Sequence, residues 1–204
     1  MAGSVASPPQ NRRPVPDAGR VIAGTARGAR LEAPGDATRP LGDRVKQTLF
    51  AILEPDLPGA RVLDLFAGSG AAGLEALSRG AAHVTFIERD GDATAVIARN
   101  VAKTGLGGER VAIVRSDVLT WLRSRAAPNA GPIDIAVVDP PYVDTELLRA
   151  TLEATEPLLA PDARVVAKHF WRDAPPARIG LLASERERRF GETALTFYRR
   201  VEEG

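Results

Sequence analysis

Four consecutive residues, Asp139-Pro140-Pro141-Tyr142, put a carboxylate, two ring-locked backbone units and an aromatic face into one short stretch. The prolines fix φ and remove two N–H donors, so the carbonyls and the Asp139 carboxylate form a rigid wall of acceptors. An exocyclic –NH2 of a nucleobase is a pure donor that fits such a wall, and Tyr142 offers a flat surface for a base drawn out of its stack. The bland alternative is a proline turn closed by an aromatic plug. A second cluster lies upstream, in Asp64-Leu65-Phe66-Ala67-Gly68-Ser69-Gly70-Ala71-Ala72-Gly73. Its Gly68-x-Gly70-x-x-Gly73 spacing lets the backbone turn tightly, approach a ligand and hand it to the N–H groups that open a helix. By its letters the triplet fits a dinucleotide fingerprint. Asp64 separates two cofactors, because a carboxylate aimed at the glycine turn repels a pyrophosphate and attracts the amino group of a methionine moiety. That favours S-adenosylmethionine over NAD. Glu88, at the end of the next apolar run, can accept both hydroxyls of a ribose. Asp117 can accept from an adenine amino group, or equally cap the helix that follows it. Cofactor contacts are thus expected from Asp64, Phe66, Ala67, Gly68, Ser69, Gly70, Glu88 and Asp117.

These residues need elements that bring strand ends together. RVLDLF (61–66), VTFIE (84–88), VAIVR (111–115), IDIAVV (133–138) and ARVVAKH (163–169) read as short apolar strands. Helical stretches over 71–79, 91–104, 118–125 and 145–158 separate them. This alternation predicts a doubly wound α/β fold, with a mostly parallel sheet and the ligand at the carboxyl ends of the central strands. The segments 178–183 and 195–200 lack helical period and predict an antiparallel strand pair at the end. Ahead of the sheet, RVIAG (20–24) and ARLEAP (29–34) flank a Gly-containing turn and predict a β-hairpin carrying Arg20, Arg27 and Arg30. Asp43 reads as the N-cap of a helix in which Val45, Leu49, Ile52 and Leu53 recur at helical spacing, ended by Pro55 and Pro58. Residues 1–18, with four prolines, read as a flexible tail. The chain therefore divides into a tail (1–18), a basic hairpin-and-helix extension (19–54) and a cofactor-binding catalytic domain (55–204).

Composition narrows the chemistry. The 204 residues are 44% hydrophobic and 26% charged, globular proportions that fit one domain with a small appendage. No apolar run approaches the roughly 20 residues of a membrane span, and no signal-peptide pattern opens the chain, so a soluble cytoplasmic protein is expected. The absence of cysteine removes disulfides, thiolate metal sites and cysteine nucleophiles, and a count of two histidines argues against a multi-histidine metal centre, so no metal is expected. The net charge is only +1, but residues 1–50 hold eight Arg or Lys against four acids. A basic front end on a slightly acidic body suggests that the front end meets a polyanion, through Arg20, Arg27, Arg30, Arg39, Arg44 and Lys46.

Asp-Pro-Pro-Tyr after the fourth strand, with DLFAGSG after the first, resembles class I S-adenosylmethionine-dependent methyltransferases that act on amino groups of bases. The likeness extends forward through RVIAGTARGARL, Thr38-Arg39-Pro40 and DRVKQTLF (43–50). Over about residues 20–200 the chain resembles the bacterial small-subunit ribosomal RNA guanine-N2 methyltransferases of the RsmD type. Leu41-Gly42 departs from the small hydroxyl residues expected after Arg39-Pro40. The resemblance implies methyl transfer to N2 of one guanine in 16S ribosomal RNA, within the small subunit or an assembly intermediate; a monomer is expected, because a ribosomal particle is a large substrate approached by one open face. It implies S-adenosylhomocysteine as product, with Asp139, Pro140, Pro141 and Tyr142 holding the base.

Other readings stay open at this level. The acceptor wall also suits an adenine-N6 DNA methyltransferase, although no separate DNA-reading domain is evident, or a glutamine-N5 protein methyltransferase, whose proline motif more usually begins with Asn. An NAD-dependent oxidoreductase could be built on the glycine triplet, but Asp64 disfavours it. A non-catalytic RNA-binding module would need neither Glu88 nor Asp139. Among weaker candidates, His169 could face the substrate or be a satisfied surface histidine, and Phe170 and Trp171 could line a base pocket or simply pack. Trp121 reads as core, and His83 has no evident partner.

Overall fold

The computed structural model describes residues 16–35, 41–124, 132–141 and 144–202. Two short strands, β1 (Asp17–Arg20) and β2 (Arg30–Glu32), pair antiparallel and are followed by helix α1 (Asp43–Leu53). The alternating part runs β3 (Arg61–Leu65), α2 (Ala71–Ser78), β4 (His83–Glu88), α3 (Gly91–Thr104), β5 (Val111–Arg115), α4 (Val118–Arg123), β6 (Ile133–Val138), α5 (Thr145–Thr155) and β7 (Leu159–Phe170). The chain then closes with β8 (Arg178–Ile179), β9 (Leu182–Phe190) and β10 (Thr193–Arg200). One eight-stranded sheet has the order β5-β4-β3-β6-β7-β10-β9-β8. Its first five strands are parallel, and β10 enters antiparallel between β7 and β9.

The parallel strands are apolar on both faces because helices cover both. Leu49, Phe50 and Leu53 of α1, Leu74 and Leu77 of α2 and Ile97 of α3 pack with Val62, Phe86, Val137 and Val166 on one face. Val118 and Leu122 of α4 and Leu148 and Leu152 of α5 pack with Leu63, Leu65, Val138 and Val165 on the other. Truncating a fully buried leucine such as Leu63 to alanine would cost about 2–5 kcal/mol. Because side chains alternate, Asp64, Asp139 and Lys168 leave their strands on the face that carries α1–α3.

The sheet and most helices lie where the sequence pattern puts them, with α3 and strands β5 and β6 matching residue for residue. Helix α5 stops at Thr155, where Pro157 forces a tighter 3-10 turn over Glu156–Leu158. Strand β7 starts at Leu159, four residues earlier than its apolar run. The N-terminal hairpin is shorter and shifted. Asp17 and Ala18, assigned above to the tail, are strand residues, and Ala18 is fully buried. Residues 1–15 lie outside the described residues. Asp43 does not cap α1; Gly42 holds that position without a side-chain bond, and Asp43 is the first helical residue.

The segment between β1 and β2 is docked on α2. Glu75, fully buried, accepts from the backbone N–H groups of Ile22 (2.7 Å) and Ala23 (3.0 Å) and pairs with Arg79 at 2.7 Å. Ser78 donates to the Ala23 carbonyl and accepts from the Ala26 N–H, while its own carbonyl accepts from Thr25. At Gly24, φ is +82° and an added Cβ would lie 1.8 Å from the Ser78 carbonyl oxygen, so only glycine permits this approach. Asn100 of α3 bonds both the N–H and the C=O of Glu32 and the carbonyl of Ser69, joining β2 to the glycine turn. The extension is thus built onto the α/β fold.

Candidate active site

At the carboxyl ends of β3, β4 and β6 lies a cavity of about 890 Å³. Its first wall is the turn after β3, where Phe66 (φ +61°), Gly68 (φ +54°) and Gly70 (φ +76°) are all left-handed. A left-handed phenylalanine costs on the order of 1 kcal/mol, so this turn is held against its own preference. Part of the holding comes from Glu88, whose Oε2 accepts from the Gly68 N–H (2.9 Å) while Oε1 accepts from the Asp90 N–H (2.9 Å). Gly73 is needed for packing, since a Cβ there would lie 2.3 Å from the Phe86 ring. Its N–H donates to Asp64 Oδ2 at 2.8 Å.

Asp64 is buried, and loss of water pushes its carboxyl up to about 8, with the Gly73 N–H opposing and the charges of Asp139 and Glu88 adding to the rise. Asp117 caps α4 through the Thr120 N–H, which holds its carboxyl below the usual range, and also lines the cavity. Asp117 thus caps α4 and borders the cavity at once. Asp64, Phe66, Ala67, Gly68, Ser69, Glu88 and Asp117 all border the cavity, whereas Gly70 sits behind the turn against Phe86 and Ile97.

Beside that turn, Asp139, Pro140 and Pro141 follow β6 directly and border the same cavity. Asp139 meets Lys168 Nζ at 2.6 Å, and both side chains are largely buried. Burial raises the Asp139 carboxyl, and the Lys168 ammonium lowers it. Sequence reading assigned no role to Lys168. Strand alternation carried the signal: Lys168 shares the face of Asp139, so its neighbour His169 must point away. His169 is in fact buried, with its ring nitrogens 2.8 Å from the Phe170 carbonyl and from Thr196 Oγ1, and it does not face the substrate side. Tyr142 lies outside the described residues.

Seven carboxylate residues border the cavity against two basic ones, Arg89 and Lys168. Such a lining suits a ligand with more positive than negative groups and disfavours a pyrophosphate. The extension contributes to the same wall through Ala18, Ala33, Pro34, Gly35 and Leu41, a contribution that no sequence motif announced.

Of the basic residues assigned to a polyanion, Arg27 and Arg44 are exposed. Arg20 and Arg30 are exposed and ion-paired with Asp43 and Asp17. Lys46 is a correction: it is fully buried and donates to the Arg20 carbonyl at 2.6 Å, so it cannot meet a phosphate. Arg39 lies outside the described residues. Trp121 packs against the core, as its position on α4 suggested. Phe170 and Trp171 do not line the cavity.

The model of the family described as conserved hypothetical protein 95 matches residues 19–199. The chain belongs to that family. Within conserved hypothetical protein 95, it is 36% identical over 188 residues to ribosomal RNA small subunit methyltransferase D of Escherichia coli, covering 91% of each chain. It is also 36% identical to YlbH of Bacillus subtilis, assigned as an rRNA methyltransferase, over 89% of this chain and 98% of that one. The solved structure of the Escherichia coli protein yhhF, assigned as a methyltransferase, superposes with a TM-score of 0.76 at 34% identity, covering 89% of this chain and 97% of that one. The chain thus has the expected architecture, a mostly parallel α/β sheet with antiparallel C-terminal strands and an N-terminal hairpin.

Proposed function

We propose that the protein is a ribosomal RNA methyltransferase that uses S-adenosylmethionine to methylate the exocyclic N2 amino group of one guanine in 16S ribosomal RNA, acting as a monomer on the small subunit or an assembly intermediate. The observation that carries this reading is that the acids Asp64, Glu88 and Asp117 and the Asp139-Pro140 segment border one cavity at the ends of neighbouring strands. The name of the Escherichia coli relative supports the choice of RNA and subunit.

The cavity fits the cofactor on its own chemistry. Asp64 would take the methionine ammonium, Glu88 the ribose hydroxyls through lone pairs left after its two backbone bonds, and Asp117 the adenine amino group. S-adenosylmethionine, when bound, supplies a methyl on a sulfonium that is already activated.

The Asp139-Pro140 segment addresses the poor nucleophile. The lone pair of a guanine amino group is delocalised into the ring, so nitrogen must be oriented and its developing charge stabilised. Asp139 and the Pro140 carbonyl would accept the two amino hydrogens, leaving the lone pair directed at the methyl. Only an ionised Asp139 is a pure acceptor; burial raises its carboxyl above the ordinary value, and the Lys168 ammonium offsets part of that rise. The proton lost from nitrogen then passes to Asp139 or to water. Tyr142 would support the unstacked base, which costs a few kcal/mol to extrude.

The test is to incubate the protein with radiolabelled S-adenosylmethionine and small subunits lacking the modification, beside Asp139→Ala, and to digest the RNA to nucleosides. The expected product is labelled N2-methylguanosine, absent with the variant. Label appearing only in DNA or protein, or in a different nucleoside, would overturn the assignment.

A further inference from the structure

The β7–β10–β9 side of the sheet carries a feature that the proposed chemistry does not use. Strand β7 runs parallel to β6, so Trp171, one residue past its end, lies at the same end of the sheet as Asp139 and three residues from Lys168. The β9–β10 turn comes to the same place. Thr193 pairs with both Phe170 and Phe190, and the Trp171 N–H donates to the Glu192 carbonyl at 3.0 Å. There the guanidinium of Arg189 lies 3.6 Å from the Trp171 ring centroid, and that of Arg172 lies 4.8 Å from it. Arg189 is further fixed by donating from Nε to the Gly191 carbonyl at 2.9 Å. Both arginines are exposed.

An arginine held flat against an indole by cation–π attraction keeps its remaining N–H fork free for an anion and loses little side-chain freedom on binding. Two more exposed arginines of β9, Arg186 and Arg188, lie on the α1–α3 face with Asp139 and Lys168, as their β10 partners Phe197 and Leu195 do, whereas Arg189, paired with Ala194, is on the face of His169. Nothing in the core needs this charge. β9 is exposed over six consecutive residues, where an ordinary edge strand would bury alternate side chains.

We propose that Trp171, Arg172 and Arg189 form a second RNA-binding site at the rim of the cleft, which holds backbone phosphates of the strand next to the target base. This rests on the RNA methyltransferase reading above. With the extension on one flank and this rim on the other, the RNA is gripped on both sides of the base that is drawn in.

The test measures affinity for the 16S RNA fragment that wild type methylates, as a function of salt, for wild type and for Arg172→Ala/Arg189→Ala. Each lost single-strand phosphate contact should flatten the log–log salt slope by about 0.7, hence by about 1.4 for the pair. S-adenosylhomocysteine affinity should not change. In a Trp121→Phe background, Trp171 is the sole indole among the chain's two tryptophans, and its emission should change on RNA binding. An unchanged salt slope together with unchanged emission, in a protein whose wild type binds and methylates RNA, would overturn the second site alone. Weaker binding only to assembled particles, with naked RNA unaffected, would assign the surface to a protein partner and equally overturn it. Failure of wild type to label RNA at all would instead sink the reading on which it rests.

Discussion

The two flanks of the cleft are built from opposite charges handled in opposite ways. On the β3–β4–β5 side, carboxylates crowd a concave wall and are satisfied mainly by backbone N–H groups: Glu88 by Gly68 and Asp90, Asp64 by Gly73, Asp117 by Thr120. On the β7–β10–β9 side, guanidiniums lie on a convex rim and are steadied by an indole or by exposed carbonyls. Asp139 and Lys168 stand at the border as an ion pair. A concave acidic wall that spends its own backbone donors leaves carboxylate lone pairs for a cationic, hydroxylated ligand, whereas a convex basic rim suits a long flexible polyanion. The comparison teaches that the sign of the charge matters less than how much of each group's bonding capacity the fold has already consumed.

Substitutions at the border should break this division most. Asp139→Ala removes the acceptor for the amine and should lower turnover by about 10²–10⁴-fold while S-adenosylhomocysteine still binds by calorimetry. Lys168→Met leaves Asp139 buried without its cation. The carboxyl then titrates higher, so the acid limb of the rate–pH profile should move to higher pH, with roughly tenfold lower turnover at pH 7 and recovery in alkali.

On the acidic flank, Asp64→Asn should weaken S-adenosylhomocysteine binding about tenfold and at the same time stabilise the ligand-free protein. The sign follows from burial. The folded carboxyl titrates near 8 against an ordinary value of 3.8, so wild type loses stability as pH rises from about 4 to about 8. The variant carries no such group, and its Tm advantage over wild type should grow across that window in thermal melts. At the extension, Gly24→Ala should cost about 2 kcal/mol, and at roughly 2–4 °C per kcal/mol it should lower Tm by several degrees. Gly28→Ala, with similar φ but open space around it, should cost less than half as much. The smallest effect belongs to Arg27→Ala/Arg30→Ala, expected to weaken RNA binding by a few-fold at low salt and by less at high salt. Unchanged affinity would mean these two are merely solvated.

Much of this was legible before folding. Apolar runs such as IDIAVV have no other economical place than a buried parallel strand, and acids at the ends of three such runs fall on one edge of the sheet by topology alone. Three features were not legible, each because a tertiary contact overrides a local signal. Lys46 reads as one more basic residue of a basic helix, yet the Arg20 carbonyl and Asp43 draw it inside. Strand β9, LASERERRF, shows no alternation because both its faces meet water over most of its length, so pairing with β10 and, at its start, with β8 defines it. Asp43 has the composition of a cap, but its carboxylate is committed to Arg20 and Lys46. Lys168 is the instructive middle case, since the two-residue period of β7 held the answer and the chemistry of histidine drew attention to the wrong neighbour.

The docking of the N-terminal segment on Glu75 and Ser78 has a thermodynamic corollary. Ala18, Ala33 and Pro34 border the cofactor cavity, so the element expected to touch RNA and the wall expected to touch the cofactor are one body. Two ligands that share such a body share a coupling free energy, and linkage makes that coupling reciprocal. By whatever factor RNA tightens or loosens the grip on the cofactor, the cofactor must change the grip on RNA by the same factor.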